Sequence, residues 1–513
     1  MTKTPAIRLE NLTKTFGGKV VANDHVSLEC YHGEILSLLG ENGSGKTTLM
    51  NMIAGIYYPD EGRIFVNGEE VLIRSPKDAF DNGIGMIHQH FKLVDVFTAA
   101  ENVVLGLKEE GRLDRKAAAE KVSEICAKYG FDLDPNEKVY NMTVSQKQAL
   151  EIVKVLYRGA GILILDEPTA VLTPQETRRL FDVLRAMRED GKCVIIITHK
   201  LNEVLELSDR VSVLRKGKYI GTVNTAEANV QLLTEMMVGE KVELNIGRTV
   251  PHDMHPRLVV EGLSCRNKEG VEALHDVSFE LRSGEILGIA GIAGSGQKEL
   301  LEAIAGLQKA ERGTITYLPP DSDVREELVG RSPSEISALG VKLSFVPEDR
   351  LGMGLVGAMD MTENMMLRSY RRGKSLFADR KAPHDLAADI RERLAVVTPS
   401  LETPVSLLSG GNVQKVLVGR EIAAAPTVLM TAYAVRGLDI NTSYTIYNLL
   451  NEQKEKGVAV VYVGEDLDVL LELCDRVLVL CGGRVNGILD ARTVTKEEIG
   501  LRMTSMEENE DAE

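Results

Sequence analysis

A glycine-rich run at residues 40–48, GENGSGKTT, has the residue types and spacing of a phosphate-binding loop. Its glycines let successive backbone N–H groups wrap a polyphosphate. The Lys46 amine can reach the β- and γ-phosphates, and the Thr47 hydroxyl can hold Mg²⁺. The residues expected to contact a nucleotide here are Gly40, Asn42, Gly43, Ser44, Gly45, Lys46, Thr47 and Thr48.

Two acidic side chains follow another apolar run, ILILDEPT at residues 162–169. Asp166 is placed to bind Mg²⁺ directly or through water, and Glu167 to orient and deprotonate an attacking water. Adjacent acids at a strand end also occur simply as solvated groups. On its own, the pair therefore leaves catalysis and solvation equally open.

Three more residues could complete such a site. His199 ends the next apolar strand and could hydrogen-bond a γ-phosphate, although a histidine at a strand end is more often structural. Gln89, in MIHQHF, could touch Mg²⁺ or the attacking water. Phe16 precedes the phosphate loop and could stack on adenine, or it could be a core aromatic.

A further phosphate-binding pattern lies far along the chain, in LSGGN at residues 408–412. It offers the Ser409 hydroxyl and the backbone amides of Gly410 and Gly411 at the start of a predicted helix. This is again phosphate-binding chemistry.

The chain repeats itself. Residues 9–55 align without gaps onto residues 260–306, and the phosphate loop returns as GIAGSGQKE at residues 291–299. Further along, the offset between the copies grows from 251 to 266, which is a net insertion of 15 residues in the second copy. A period this long indicates two complete domains rather than a solenoid.

The elements that position these residues are of α/β type. Short apolar runs such as ILSLLG, GILILDEP and CVIIITH are typical of buried parallel strands. A charged stretch at about residues 112–130 predicts an inserted helical subdomain. We predict a first domain at 1–240, a linker at 241–256, a second domain at 257–506 and an acidic tail at 507–513.

Bulk composition narrows the function classes. The chain has 513 residues, of which 44% are hydrophobic and 27% charged, as in an ordinary globular protein. Its formal charge of −16 disfavours generic nucleic-acid binding, which usually needs a basic surface. No apolar run approaches the roughly 18 residues needed to span a bilayer, and the N-terminus does not resemble a signal peptide.

The motif set GENGSGKT, Gln89, LSGGN, LILDEP and TH resembles the ATPase subunits of ABC transporters, over essentially the whole chain and twice. The resemblance implies two tandem P-loop ABC-type ATPase domains. Each would have a RecA-like core, an antiparallel β part and an inserted helical subdomain. It also implies head-to-tail pairing, with each ATP held between the phosphate loop of one domain and the signature of the other.

Each half departs from that pattern differently. In the second half, residues of other types stand where Phe16, Lys46, Thr47, Gln89, Asp166, Glu167 and His199 stand in the first: Asn267, Gln297, Lys298, Glu348, Ala432, Tyr433 and Glu465. The second half keeps the signature Ser409-Gly410-Gly411, followed by Asp439. The first half has Thr143, Val144, Ser145 and Thr173 at those positions.

These losses fall together on one of two composite sites. The intact one would join the first half's phosphate-loop residues to Ser409, Gly410, Gly411 and Asp439, and the degenerate one would lack nearly every catalytic group. Lys298 is not expected to replace Lys46, because one residue is a rotation of about 100° on a helix.

A fused tandem chain with this asymmetry resembles importers of simple sugars and nucleosides. HQHFKLVD, DEPTAVLTPQE and VPEDR are most similar to the nucleoside branch, which works with lipoprotein receptors. The resemblance implies ATP and Mg²⁺ as ligands, and two membrane permeases with an extracytoplasmic substrate-binding lipoprotein as partners. It places the chain at the cytoplasmic face of the membrane. The loops at residues 90–93 and 349–355 are candidate permease contacts, and ordinary packing between domains is equally open for them.

Three alternatives remain at this stage. The cargo could be a pentose or hexose instead of a nucleoside. A cytosolic tandem ATPase acting on ribosomes or DNA is a rival class, though the net charge, the short linker and the lack of cysteine pairs disfavour it. A pseudo-ATPase scaffold conflicts with the intact first set of motifs.

Overall fold

The computed structural model describes residues 4–18, 20–89, 91–107, 114–241, 246–251, 254–322, 324–370 and 379–505. The chain divides into two compact units, Met1–Glu243 and Leu244–Glu513. The predicted acidic tail, His90 and part of the predicted linker lie outside the described residues.

The first unit alternates strands and helices along the chain. Its strands are β1 (Pro5–Phe16), β2 (Val20–Tyr31), β3 (Glu34–Leu39), β4 (Glu61–Val66), β5 (Glu69–Val71), β6 (Ile84–Ile87), β7 (Ile162–Asp166), β8 (Cys193–Ile197), β9 (Arg210–Arg215) and β10 (Lys218–Asn224). Its α-helices are α1 (Lys46–Ile53), α2 (Pro76–Asp81), α3 (Ala99–Val104), α4 (Arg115–Tyr129), α5 (Val144–Tyr157), α6 (Pro174–Glu189), α7 (Leu201–Leu207) and α8 (Val230–Val238).

Two sheets organise this unit. One is antiparallel, in the order β2-β1-β4-β5, and the other has the order β10-β9-β3-β8-β7-β6 with only the β9–β10 pair antiparallel. Strands β3, β7 and β8 are buried at every residue, as their continuous apolar sequences predict for strands covered on both faces. Together the two sheets confirm the predicted core and antiparallel part.

The predicted helical insertion is present between β6 and β7. Helices α3, α4 and α5 pack on one another around a small apolar core that includes Val103, Val122 and Leu150. Thr98 caps α3 in a reciprocal capping box, and Gly130 ends α4 in the left-handed conformation with φ 78°. The helix begins at Arg115, slightly later than the sequence pattern predicts.

The second unit has the same element order. Its strands are β11 (Pro256–Arg266), β12 (Glu272–Arg282), β13 (Ile286–Gly291), β14 (Ala310–Tyr317), β15 (Glu326–Glu327), β16 (Leu343–Val346), β17 (Val428–Ala432), β18 (Ala459–Val463), β19 (Arg476–Cys481) and β20 (Arg484–Asp490). Its α-helices are α9 (Gln297–Ile304), α10 (Pro333–Ala338), α11 (Met361–Met366), α12 (Lys381–Arg393), α13 (Gly410–Ala423), α14 (Ile440–Glu455), α15 (Leu467–Leu473) and α16 (Lys496–Thr504).

The strand orders of the second unit, β12-β11-β14-β15 and β20-β19-β13-β18-β17-β16, repeat those of the first. Helices α11, α12 and α13 form its helical insertion. The duplication read from the sequence is therefore a duplication of the whole fold. Among the described residues, none of the helices is long and apolar enough to cross a bilayer.

Part of the predicted linker packs onto the second unit. Ile246 is buried in that unit's core, and the Arg248 guanidinium donates to the carbonyls of Leu471 and Cys474 at the end of α15. The buried Lys454 ammonium donates to the Thr249 carbonyl at 2.6 Å. This segment is therefore fixed where the sequence suggested an irregular connection.

Lys454 also forms a buried ion pair with Asp475, at 2.8 Å and with side chains 1% and 5% exposed. Replacing Lys454 by alanine leaves the buried Asp475 carboxylate with the more distant Arg492, at 3.5 Å, as its remaining cation, and is expected to cost about 3 kcal/mol. The equivalent pair in the first unit, Arg188–Asp209, is partly exposed, and Arg188→Ala should cost about 1 kcal/mol or less. Scanning calorimetry of the full chain should show the larger drop in melting temperature for Lys454→Ala, and equal drops would contradict this account.

Candidate functional site

The predicted catalytic residues of the first unit meet at one edge of its parallel sheet. Strands β3, β8, β7 and β6 are neighbours and run in the same direction, so their carboxyl ends lie side by side. The phosphate loop follows β3, the acidic pair ends β7, and His199 and Gln89 follow β8 and β6. Ligands bind at this edge in open α/β sheets.

The phosphate loop has the backbone that its glycines permit. Gly45 precedes α1 with φ 97°, and Gly43 has φ 79°. A side chain at Gly40 would collide with Ser44 Oγ and the Leu214 carbonyl. Loop residues Gly43 and Asn42 are exposed, which leaves the loop open to a ligand.

Two buried polar groups of this loop fit a phosphate. The Lys46 ammonium is buried and donates to the carbonyls of Gly40 and Glu41 at 2.6 and 2.9 Å. Burial lowers the pKa of Lys46, although Glu167 and Asp166 act in the opposite direction. Ser44 Oγ is buried and has no hydrogen-bond partner among the described residues. Buried polar groups normally have partners, and phosphate oxygens would supply them here.

Glu167 is the centre of a hydrogen-bonded cluster. Its Oε1 lies 2.9 Å from His199 Nδ1, and its Oε2 accepts from Gln89 Nε2 at 3.2 Å. The backbone of Glu167 has φ 48°, a left-handed conformation that costs a non-glycine residue about 1–3 kcal/mol. The turn holds the carboxylate where three strand ends converge.

The electrostatics separate the two carboxylates. The hydrogen bond to His199 lowers the pKa of Glu167, so this group stays ionised at neutral pH and can accept a proton. Burial raises the pKa of Asp166, and the neighbouring Glu167 raises it further. The Thr47 hydroxyl donates to Asp166 and opposes that rise.

The donor set fits Mg²⁺. Thr47, Asp166 and Gln89 provide hydroxyl, carboxylate and amide oxygens, and Mg²⁺ in nucleotide sites uses one or two such ligands with phosphate and water. The described residues contain no group of three or more His, Cys, Asp and Glu side chains that could hold a metal ion unaided.

Phe16 is not a core residue. Its side chain is 38% exposed, its ring packs edge-on against Tyr57 at 5.2 Å, and the Lys14 ammonium lies 5.8 Å from the ring centre. This exposed ring, at the last residue of β1, remains available for stacking.

The second unit keeps the backbone of the phosphate loop and loses its charge. Gly294 and Gly296 have φ 88° and 95°, close to their first-unit counterparts. Gln297 takes the place of Lys46 and donates to the Ile292 carbonyl at 3.1 Å. The Lys298 side chain is half exposed and lies 3.8 Å from Glu302, so it does not replace Lys46 across the loop.

The signature in the second unit begins α13. Ser409 caps this helix and accepts from Asn412 Nδ2 at 2.9 Å. Ser409 and Gly410 are exposed, so the first helical N–H groups face outward. A side chain at Gly411 would lie 3.3 Å from both Asp439 Oδ2 and Thr442 Oγ1, which is tighter than most contacts.

Asp439 has a structural role in the second unit. It caps α14, with Oδ1 accepting from the Thr442 amide and Oδ2 from the Thr442 hydroxyl, both at 2.8 Å. In the first unit, Thr143 and Thr173 are caps too, each in a reciprocal box with Gln146 or Glu176. Capping therefore survives in both halves, whereas the signature glycines Gly410 and Gly411 are replaced by Val144 and Ser145 in the first.

The sequence and its two-unit architecture can be compared with those of known proteins. The ABC transporter family profile matches residues 23–170 and 274–431, more than half of the chain. The chain belongs to the ABC transporter family. It carries two of the family's ATP-binding domains, and proteins of this kind hydrolyse ATP.

Full-length relatives are similar to this chain. The guanosine import ATP-binding protein NupO of Bacillus subtilis is 40% identical over 98% of both chains. The nucleoside import ATP-binding protein NupA of Lactococcus lactis is 39% identical over 99% of this chain and 100% of its own. The glucose import ATP-binding protein TsgD13 of Haloferax volcanii is 40% identical over 98% of this chain and 96% of its own.

Two arginines of this ABC protein belong to these sites without a motif that predicts them. Arg436 lies 2.5 Å from Glu348 and 3.2 Å from Glu465, the residues that replace Gln89 and His199. Its guanidinium also lies 6.0 Å from the ring of Tyr433. The second unit thus has an ion-pair cluster where the first has the hydrogen-bonded cluster of Glu167, His199 and Gln89. The carboxylates that follow β16 and β18, on either side of the end of β17, were the available signal for a cation between them.

Arg350 is the other. Its guanidinium donates to the Arg436 carbonyl and lies beside Gly410, since a side chain there would meet its Nη1 at 3.2 Å. Burial lowers the pKa of Arg350. This side chain links the start of the signature helix to the loop before Asp439.

Removal of the Glu167 carboxylate should stop turnover and leave ATP binding in place. Glu167→Gln keeps the size of the side chain and removes the proton acceptor, so we expect ATP hydrolysis to fall by about 100-fold or more. The control is Lys298→Ala, expected to stay within about threefold of the native rate. An ATPase assay with nucleotide binding measured in parallel tests both, and a Lys298 requirement equal to that of Glu167 would contradict a single catalytic centre.

Proposed function

We propose that this protein is the ATPase subunit of a nucleoside importer. The observation that carries the proposal is the full-length similarity to two nucleoside-import ATP-binding proteins. In such a transporter the subunit lies at the cytoplasmic face of the membrane, against two permease subunits, and a receptor lipoprotein outside delivers the cargo. The glucose-import relative supports sugar as the second candidate.

The proposed catalytic centre is composite. The first unit supplies Lys46, Thr47, Gln89, Asp166, Glu167 and His199, with Phe16 against adenine, and the second supplies the signature Ser409-Gly410-Gly411 with Asp439. Support comes from the complementary chemistry of the two units. The first has a buried ammonium and an ionised base, and the second has exposed helical N–H groups flanked by glycines.

Catalysis in this proposal is mainly positioning and charge stabilisation. Bound Mg²⁺ would be held by Thr47, Asp166 and Gln89 and would offset the charge of the phosphate oxygens. The Glu167 carboxylate, oriented by His199, accepts the proton of the attacking water. The Lys46 ammonium, already buried and desolvated, binds the transferring phosphate.

The second composite site is proposed to be non-hydrolytic. Gln297 contributes no charge, and Ala432 has no carboxylate to hold a metal. Glu348 and Glu465 both pair with Arg436, so two carboxylates share one cation. The excess of carboxylates would repel a triphosphate. Burial raises the pKa of Tyr433 to about 12, so this phenol cannot serve as a base near neutral pH.

We expect ATP hydrolysis to depend on the glycine at position 411. Introducing a glycine at the matching position, where Ser145 stands, should leave the rate unchanged. Gly411→Ser introduces a side chain against Asp439 and Thr442, and we expect ATP hydrolysis to fall about tenfold or more. Ser145→Gly, the reverse change in the first unit, should leave the rate within about twofold. An ATPase assay on the full chain compares them, and an unaffected Gly411→Ser variant would sink the composite site while leaving the family assignment intact.

The cargo is tested on the assembled transporter. We would purify the chain with its permeases and receptor, reconstitute the complex in vesicles, and measure uptake of guanosine, ribose and glucose. Nucleoside uptake that depends on ATP and is lost in Glu167→Gln is expected. Uptake of glucose or ribose in preference to guanosine would replace the nucleoside proposal by the sugar one.

A further inference from the structure

The second unit contains a cavity of about 420 Å³. Its lining residues lie between positions 389 and 458 and include none of the residues assigned to the nucleotide above. Its walls come from the inserted helix α12, the end of α13 and the end of α14. The apolar part includes Ile390, Leu394, Ile422 and Leu449. This volume falls within the range of small-molecule sites, about 300–1,000 Å³.

The first unit fills the corresponding place with aromatic rings. Tyr129, at the end of α4, matches Leu394, and Tyr157, at the end of α5, matches Ala423. The Tyr129 hydroxyl donates to Asp190 at 2.6 Å, and Lys128 pairs with the same carboxylate at 2.7 Å. Leucine and alanine at the matching positions of the second unit therefore carry less side-chain volume beside the cavity.

The polar side chains beside the cavity also differ between the two units. Asp190 follows α6 in the first unit, and its counterpart after α14 is Lys456. A cation therefore stands at the cavity where the first unit has an anion. Met187 of the first unit becomes Gln453, which lines the cavity. A plain loss of packing would not require a reversed charge and a new donor.

Gln453 is the most specific feature. Its side chain belongs to a residue only 3% exposed, and its Nε2 has no hydrogen-bond partner among the described residues. A buried donor left without an acceptor costs about 1–3 kcal/mol. An acceptor atom inside the cavity would remove that cost.

Two cations stand at the cavity with weak partners. Arg393 lies 3.4 Å from Asp389, and Lys456 lies 3.9 Å from Glu452, all four side chains being at least half exposed. Exposed pairs of this kind contribute about 0–1 kcal/mol. Asp389 also lines the cavity, so the two cations outnumber its single carboxylate there, and either cation can turn towards an anion at little cost.

We propose that this cavity binds a small organic anion with an apolar body. The apolar body lies between α12, α13 and α14, the acid group faces Arg393 and Lys456, and an acceptor atom takes the Gln453 donor. Because the walls belong both to the helical insertion and to the parallel-sheet core, an occupant stabilises their present arrangement.

The test uses a matched pair of fluorescent probes on the full chain, with saturating ADP present to cover the nucleotide site. 1-Anilinonaphthalene-8-sulfonate has an anionic group on an apolar body, and N-phenyl-1-naphthylamine has the same body without the charge. We expect saturable binding of the sulfonate, at least tenfold tighter than that of the neutral probe. Equal affinities for the two probes would overturn the anion site.

Variants taken from the sister unit locate the probe. Ala423→Tyr restores the ring that Tyr157 provides, and Gln453→Met restores Met187. We expect the sulfonate affinity to fall at least tenfold in the first variant and about three- to tenfold in the second. Ala382→Tyr, at an exposed position of α12, is the control and should bind as the native chain does. Unchanged affinity in Ala423→Tyr, with native melting behaviour, would overturn the proposal.

Discussion

The hydrogen bond from the Glu167 amide to the Ile197 carbonyl, at 2.9 Å, is the constraint on which the site depends. It carries the end of β7 across to β8 and sets the left-handed backbone that presents the carboxylate to His199 and Gln89. The second unit keeps this bond between Tyr433 and Val463, with φ 51° at Tyr433. The turn therefore survived the loss of the carboxylate, so it serves the sheet as well as the chemistry.

The second unit has a reason to keep a backbone whose catalytic groups are gone. The turn at Tyr433 leads through Arg436 to Asp439, which caps α14 beside Gly411. The Arg436 ion pairs tie this loop to the segments after β16 and β18. If the signature completes the first unit's site, as we propose, any distortion of this loop would reach that site. The catalytic residues could then change freely, provided that their replacements kept the loop in place.

The parts of the fold that short-range patterns determine could be predicted from the sequence. The strands β3, β7 and β8, the phosphate loop and the convergence of Glu167, His199 and Gln89 follow from apolar runs and from the geometry of neighbouring parallel strands. Arg436 escaped because its partners lie 88 and 29 positions away along the chain, on segments after other strands. The fixed position of Ile246 escaped as well, since a single apolar residue in an irregular segment has no period to reveal burial.

The duplication itself carries information that neither half holds alone. Where both copies keep a contact, such as the arginine pairs Arg210–Glu34 and Arg476–Glu285, the contact serves the shared fold. Where one copy loses a charge and keeps the backbone, as at Gln297, the lost group is one that we propose binds a phosphate. Where one copy loses volume and gains a donor and a cation, as around Gln453, neither the shared fold nor the nucleotide accounts for the change. We attribute divergence of that third kind, around a buried donor and two exposed cations, to the separate ligand proposed above.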